Sequence, residues 1–75
     1  MEIFEALREL RKSIADENNV PAFVIFGDVS LREMAHYLPT TKDEFAEISG
    51  VGSQKLSKYG DTFTNLIKEL QNKNQ

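Results

Sequence analysis

Apolar residues recur at helical spacing along most of this chain. Ile3, Phe4, Leu7, Leu10 and Ile14 share one face, which predicts a helix over residues 3–16. Asn18-Asn19-Val20-Pro21 ends it, because proline disfavours helical geometry in the residue before it. The run Ala22-Phe23-Val24-Ile25-Phe26, closed by Gly27, has no second strand to pair with. A short helical turn or an extended segment across the core is expected there. Five consecutive apolar side chains cannot all face inward, which leaves Phe23 or Phe26 as a candidate for exposure. Ser30 and Glu33 have capping-box spacing ahead of Leu31, Met34, Ala35 and Leu38, and Pro39 stops that helix. Thr41 and Glu44 repeat the spacing before Phe45 and Ile48. Beyond Gly50-Val51-Gly52 the pattern predicts a helix over about residues 53–59, closed by Gly60 as a left-handed C-terminal residue. A last helix capped by Asp61 would bury Phe63, Leu66, Ile67 and Leu70. The expected fold class is all-α, a compact bundle of about five short helices. It forms one domain over residues 1–70, with residues 71–75 a polar, frayed tail.

Size and composition narrow the function. At 75 residues the chain is one small domain whose core is marginal unless efficiently packed. It has no cysteine, so neither disulfides nor thiolate metal sites support it, as fits a reducing compartment. No apolar run approaches the roughly 20 residues of a membrane span. The N-terminus is acidic and helix-patterned from its start, so no targeting leader is expected. His36 is the single histidine, so a histidine-based metal site or a serine-type triad lacks parts. Beside Tyr37 it reads as a helix-surface or half-buried residue. The expectation is a monomer with no catalytic residues, no metal and no cofactor.

Charge points to one segment. The net charge of −3 argues against a non-specific nucleic-acid binder, since phosphate contact depends on Lys and Arg. Its distribution is uneven: residues 49–60 carry Lys55 and Lys58 and no acid. They follow Gly50-Val51-Gly52, where two glycines permit a sharp turn and the close approach of a ligand backbone. The helix beginning near Ser53 would offer unpaired N–H groups and its positive dipole end, a setting suited to phosphate. The stretch reads as a helix-hairpin-helix-like backbone grip on nucleic acid, set against the plainer possibility of a turn between packed helices with Val51 plugging the core. Arg8, Arg11 and Lys12 gather on one flank of the first apolar stripe, as a basic edge or as a solvated face with i,i+4 pairs.

Taken in order, these motifs resemble the HRDC domain found at the C-terminal end of RecQ helicases and in RNase D. The resemblance runs through Leu7-Arg8-Glu9-Leu10-Arg11, Ile14-Ala15-Asp16-Glu17, residues 20–35 (VPAFVIFGDVSLREMA), Leu38-Pro39 and residues 48–63 (ISGVGSQKLSKYGDTF). The section from Val51 to Gly60 looks more like bacterial RecQ than RNase D. The resemblance implies a helical auxiliary module of a larger ATP-dependent DNA helicase whose catalytic domains lie elsewhere, acting in recombination and repair. It implies weak, salt-sensitive contact with single-stranded or branched DNA, a cytoplasmic, nucleoid-associated setting, and contact with the helicase core of the same parent. Where bacterial relatives usually read Val-Pro-Pro-Tyr, this chain has Val20-Pro21-Ala22-Phe23. Phe23 keeps a stacking face and loses the hydroxyl. The candidate contact residues are therefore Phe23, Gly50, Gly52, Ser53, Lys55, Lys58, Arg8, Arg11 and Lys12. The alternatives are an acidic protein-interaction module with little DNA affinity, or the corresponding module of an RNase D-type exonuclease.

Overall fold

A computed structural model describes residues 2–73. Among them the chain forms α1 (Ile3–Asn18), α2 (Ala22–Ile25), α3 (Asp28–Tyr37), α4 (Lys42–Phe45) and α5 (Ser53–Lys73), with no strand. α1 packs on α2, α3 and α5, and α4 packs on α5. Of the apolar stripe of α1, Leu7 is fully buried and Ile3, Phe4, Leu10 and Ile14 are half-buried against the core, with Ala15 buried beside them; the helix closes at Asn19 in the left-handed region (φ 56°). The segment after Pro21 is the short helical turn expected. Ile25 and Phe26 are buried, and Phe23 is 71% exposed.

Phe26 is the centre of the core. Its ring meets Phe45, Tyr59 and Phe63 edge-on, with centroids 5.9, 5.7 and 5.1 Å away. Such edge-to-face contacts add to the burial of large apolar area. Leu31 and Met34 from α3, Ile48, and Ile67 from α5 complete the same cluster.

Three expectations are corrected. Gly60 does not close a helix: α5 runs unbroken through Gly60 and Asp61. Leu56, Tyr59, Phe63, Leu66, Ile67 and Leu70 form one stripe with no change of phase, and its burial outweighs the roughly 1 kcal/mol cost of a mid-helix glycine. Gly60 is itself buried, and a Cβ there would lie 3.3 Å from Leu56 Cδ1 and 3.7 Å from the Lys42 stem. The Lys42 distance is ordinary van der Waals contact, and Lys42 pairs with Asp61 at 3.6 Å across the same region. Second, α5 continues past Leu70 to Lys73, so the expected frayed tail is helical that far, and residues 74–75 lie outside the described residues.

Third, Ser30 and Glu33 do not cap their own helix. α3 begins earlier, at Asp28, so Ser30 lies inside it and both side chains are directed to Ser49 instead. The Thr41 cap does form, its Oγ1 accepting the Glu44 N–H at 3.1 Å. Glu44 reaches back to the N–H of Thr40, one residue before the position the capping box names. The helix that follows is a single turn ending at Phe45, and the chain continues to Ile48 through i→i+3 turn bonds.

Candidate nucleic-acid interface

The Gly50-Val51-Gly52 turn is held from below. Val51 is half-buried against the core, and its N–H donates to the Ile48 carbonyl at 3.2 Å. The Ser30 hydroxyl donates to the Ser49 carbonyl at 2.6 Å, while the Ser49 N–H donates to Glu33 Oε1 at 2.9 Å. Hydrogen bonding from the Ser49 N–H, and from its side chain, holds the Glu33 carboxyl below its usual range.

The two glycines have different reasons to be there. Gly50 takes φ +84°, and a Cβ at that position would fall 2.6 Å from Ser30 Oγ. Only glycine fits. Gly52 is exposed and a Cβ there would meet nothing within 4 Å, so the fold itself makes no steric demand for glycine.

The Gly52 carbonyl accepts the Leu56 N–H at 2.9 Å, which starts α5 with Ser53 exposed in its first turn. N–H groups of a first helical turn have no carbonyl four residues back within the helix, and the dipole adds partial positive charge. Lys58 is exposed, with Nζ 5.8 Å from the Tyr59 ring centroid. Lys55 is half-buried, with Nζ 5.3 Å from the Phe26 centroid. Among the described residues neither ammonium has a carboxylate within 4.0 Å. Ser53, Gln54, Ser57 and Lys58 line an open hollow of about 480 Å³ on the outer side of this turn.

Phe23 lies three residues before Phe26, whose ring is the one beneath Lys55. Val24 and Val29 are also exposed, at 46% and 61%, and extend the apolar surface around α2.

The basic flank of α1 is arranged otherwise. Arg11, expected among the contact residues, is buried: its Nη1 donates to the Phe26 carbonyl at 3.0 Å and to Asp28 Oδ1 at 2.9 Å. It is spent inside the protein, because the Phe26 carbonyl ending α2 needs a donor and the guanidinium supplies one. The hydrogen bond and charge of Arg11 hold the Asp28 carboxyl below its usual range. Arg8 and Lys12 stay at the surface, paired with Glu5 and Asp16, each at 3.2 Å.

Sequence reasoning missed the part played by Ser30 and Glu33. The available signal was Gly27-Asp28, a helix start whose cap position lies three residues before Ser30 and which puts an acid in the first turn. It also missed a groove of about 520 Å³ between α3 and α4, where Glu33, Glu44 and Glu47 surround Pro39 and Ile48. Tyr37, 69% exposed, forms one wall, and the His36 ring meets it edge-on at 4.8 Å. Among the described residues no helix is long and apolar enough to cross a membrane.

The features together define a small all-helical module with an exposed turn and a helix start whose two lysines have no carboxylate within 4.0 Å among the described residues. The HRDC domain family matches residues 1–67. The chain is 48% identical over 68 residues to the ATP-dependent DNA helicase RecQ of Haemophilus influenzae, and 49% identical over 70 residues to that of Bacillus subtilis. Those alignments cover 91% and 93% of this chain but 11% of each helicase, so the greater part of both relatives lies outside the matched segment. A solved structure, the D. radiodurans RecQ HRDC domain 3, is similar with a TM-score of 0.89 at 34% identity, covering 93% of this chain and 92% of that one. This chain belongs to the HRDC domain family. It matches a small accessory segment of the RecQ helicases.

Proposed function

We propose that this HRDC domain is an auxiliary module of a RecQ-type DNA helicase that contacts single-stranded or branched DNA and tunes which structures the helicase acts on. One observation carries the reading. The Gly50-Val51-Gly52 turn leads into a helix start where Lys55 and Lys58 have no carboxylate within 4.0 Å among the described residues, while Arg8, Arg11 and Lys12 each have one. In this reading a phosphate sits against the first turn of α5 between Ser53 and Lys58, with Gly52 leaving room for the strand to approach. Phe23 stacks on a base. The module works as a monomer, without metal or cofactor, alongside its parent's catalytic domains in the cytoplasm.

Titration of labelled single-stranded, duplex and forked oligonucleotides at low and moderate salt tests this. Two to four phosphate contacts at about −0.7 each give a slope of log affinity against log salt of roughly −1.4 to −2.8. Phe23→Ala should weaken binding by about 1–3 kcal/mol if the ring stacks on a base. Its melting temperature should barely move, because the side chain is 71% exposed. A chelator should leave binding unchanged.

A second reading has its own observation. The acidic groove between α3 and α4, with Tyr37 on its wall, suits a basic segment of the helicase core or of another protein. No measurable DNA binding at low salt would transfer the function to that groove.

A further inference from the structure

We infer that Ser30 and Glu33 of α3 are positioning residues for the DNA grip, holding the Gly50-Val51-Gly52 turn in the shape that presents the start of α5. The inference rests on the nucleic-acid reading of that turn. Two hydrogen bonds hold the backbone of Ser49, and Gly50 packs beside them. The Ser30 hydroxyl binds the Ser49 carbonyl at 2.6 Å. Glu33 binds the preceding N–H, that of Ser49, at 2.9 Å. Gly50 lies so close to Ser30 that a Cβ would come within 2.6 Å of its hydroxyl. Holding the N–H and the C=O of one residue fixes the peptide planes on either side of it. The second of these planes carries the Gly50 nitrogen, from which the chain turns at φ +84° towards α5.

The support behind the clamp is rigid. Ser30 and Glu33 are three apart and so share one face of α3. Leu31 and Met34 of the same helix are fully buried in the core. Besides these bonds, among the described residues the turn is held by the packing of Val51 against the core and by one longer bond from its N–H to Ile48 at 3.2 Å. Chemistry also argues that Glu33 acts through the turn. A carboxylate repels phosphate, so as a direct neighbour of DNA it would weaken binding; as the acceptor for Ser49 it strengthens binding by ordering the grip.

That opposition makes the test sharp. Glu33→Ala removes both charge and acceptor, whereas Glu33→Gln removes the charge and keeps an acceptor oxygen. With labelled oligothymidylate at low salt, Glu33→Ala should bind about three- to tenfold more weakly than the parent chain, the scale of one hydrogen bond. Glu33→Gln should stay within about twofold. Amide hydrogen exchange at Ser49 and Gly50 should accelerate in the Ala variant and not in the Gln variant. Ser30→Ala should weaken binding in the same sense, and should it unfold, the Glu33 pair still decides. Tighter or unchanged binding by folded Glu33→Ala overturns the inference while leaving the DNA reading intact. Failure of the parent chain to bind any oligonucleotide overturns both.

Discussion

The three basic side chains of α1 and the two at the start of α5 look alike along the chain, as cations grouped within about one turn of a helix. In the fold they differ in what lies opposite them. Arg11 faces a backbone carbonyl that has lost its helical partner, and it is drawn inside; Arg8 and Lys12 sit one turn from acids on their own helix. Lys55 and Lys58 rest against the aromatic rings of Phe26 and Tyr59. A ring attracts an ammonium without cancelling its charge. Cations held in this way remain able to attract a phosphate, so availability depends on the partner and not on the count of Lys and Arg.

The largest effect should come from reversing the α5 pair. Lys55→Glu with Lys58→Glu removes two contacts and adds repulsion, and should weaken single-strand binding by about tenfold or more. Circular dichroism should show the helical fold retained. Lys55 covers the Phe26 ring, so Lys58→Glu alone is the cleaner arm for separating affinity from stability. Undiminished binding in the double variant would break the comparison outright.

Next comes Arg11→Ala, whose effect should fall on stability. Leaving the buried Phe26 carbonyl without a donor costs about 1–3 kcal/mol, read as a lower urea midpoint. DNA affinity of the folded protein should not change. A folded Arg11→Ala variant that loses binding would restore Arg11 to the interface.

The difference between these two basic groups was only partly legible in the sequence. Helix periodicity reveals which face is apolar, and it located α1, α3 and the stripe of Phe63, Leu66, Ile67 and Leu70. It also marked Lys55 and Lys58 as an acid-free pair. Arg11 lies beside the apolar stripe of α1, where a long side chain can turn either way. Its direction is decided by the Phe26 carbonyl, 15 residues away. Gly60 was misleading for a similar reason. Glycine is a common helix terminator, but here it lies buried inside α5, on a stripe that packs against the core. Ser30 and Glu33 satisfy a local capping pattern and bond to a turn 16 to 19 residues away. In each case a local rule competed with a long-range partner that spacing along the chain does not encode.

Acid titration sharpens the comparison at smaller scale. Arg11 makes Asp28 a stronger acid in the folded state than in the unfolded one. The stability this contributes is present above the unfolded pKa and is lost as pH falls through the folded one, so it fades from about pH 4 downward. Glu33 and Glu44, also lowered, act in the same direction. Asp28→Asn should therefore make the acid limb of a thermal-stability profile shallower without abolishing it. Lys58→Ala, whose ammonium has no carboxylate within 4.0 Å among the described residues, should leave that limb unchanged.

The smallest expected effect is that of Arg8→Ala combined with Lys12→Ala. Both ion pairs lie at the surface within α1, and exposed pairs contribute about 0–1 kcal/mol each. Their removal also leaves Glu5 and Asp16 unpaired, which makes the flank more acidic. If DNA lies only along the Gly50-Val51-Gly52 turn and α5, affinity at moderate salt should stay within about twofold and the salt slope should not move. If the strand also crosses α1, each lost contact should reduce the slope by about 0.7. Glu5→Gln with Asp16→Asn supplies the opposite perturbation, freeing Arg8 and Lys12 from their partners. Strengthened binding in that variant would show that pairing, and not position, keeps the α1 cations from DNA; unchanged binding would place the strand on the α5 side alone.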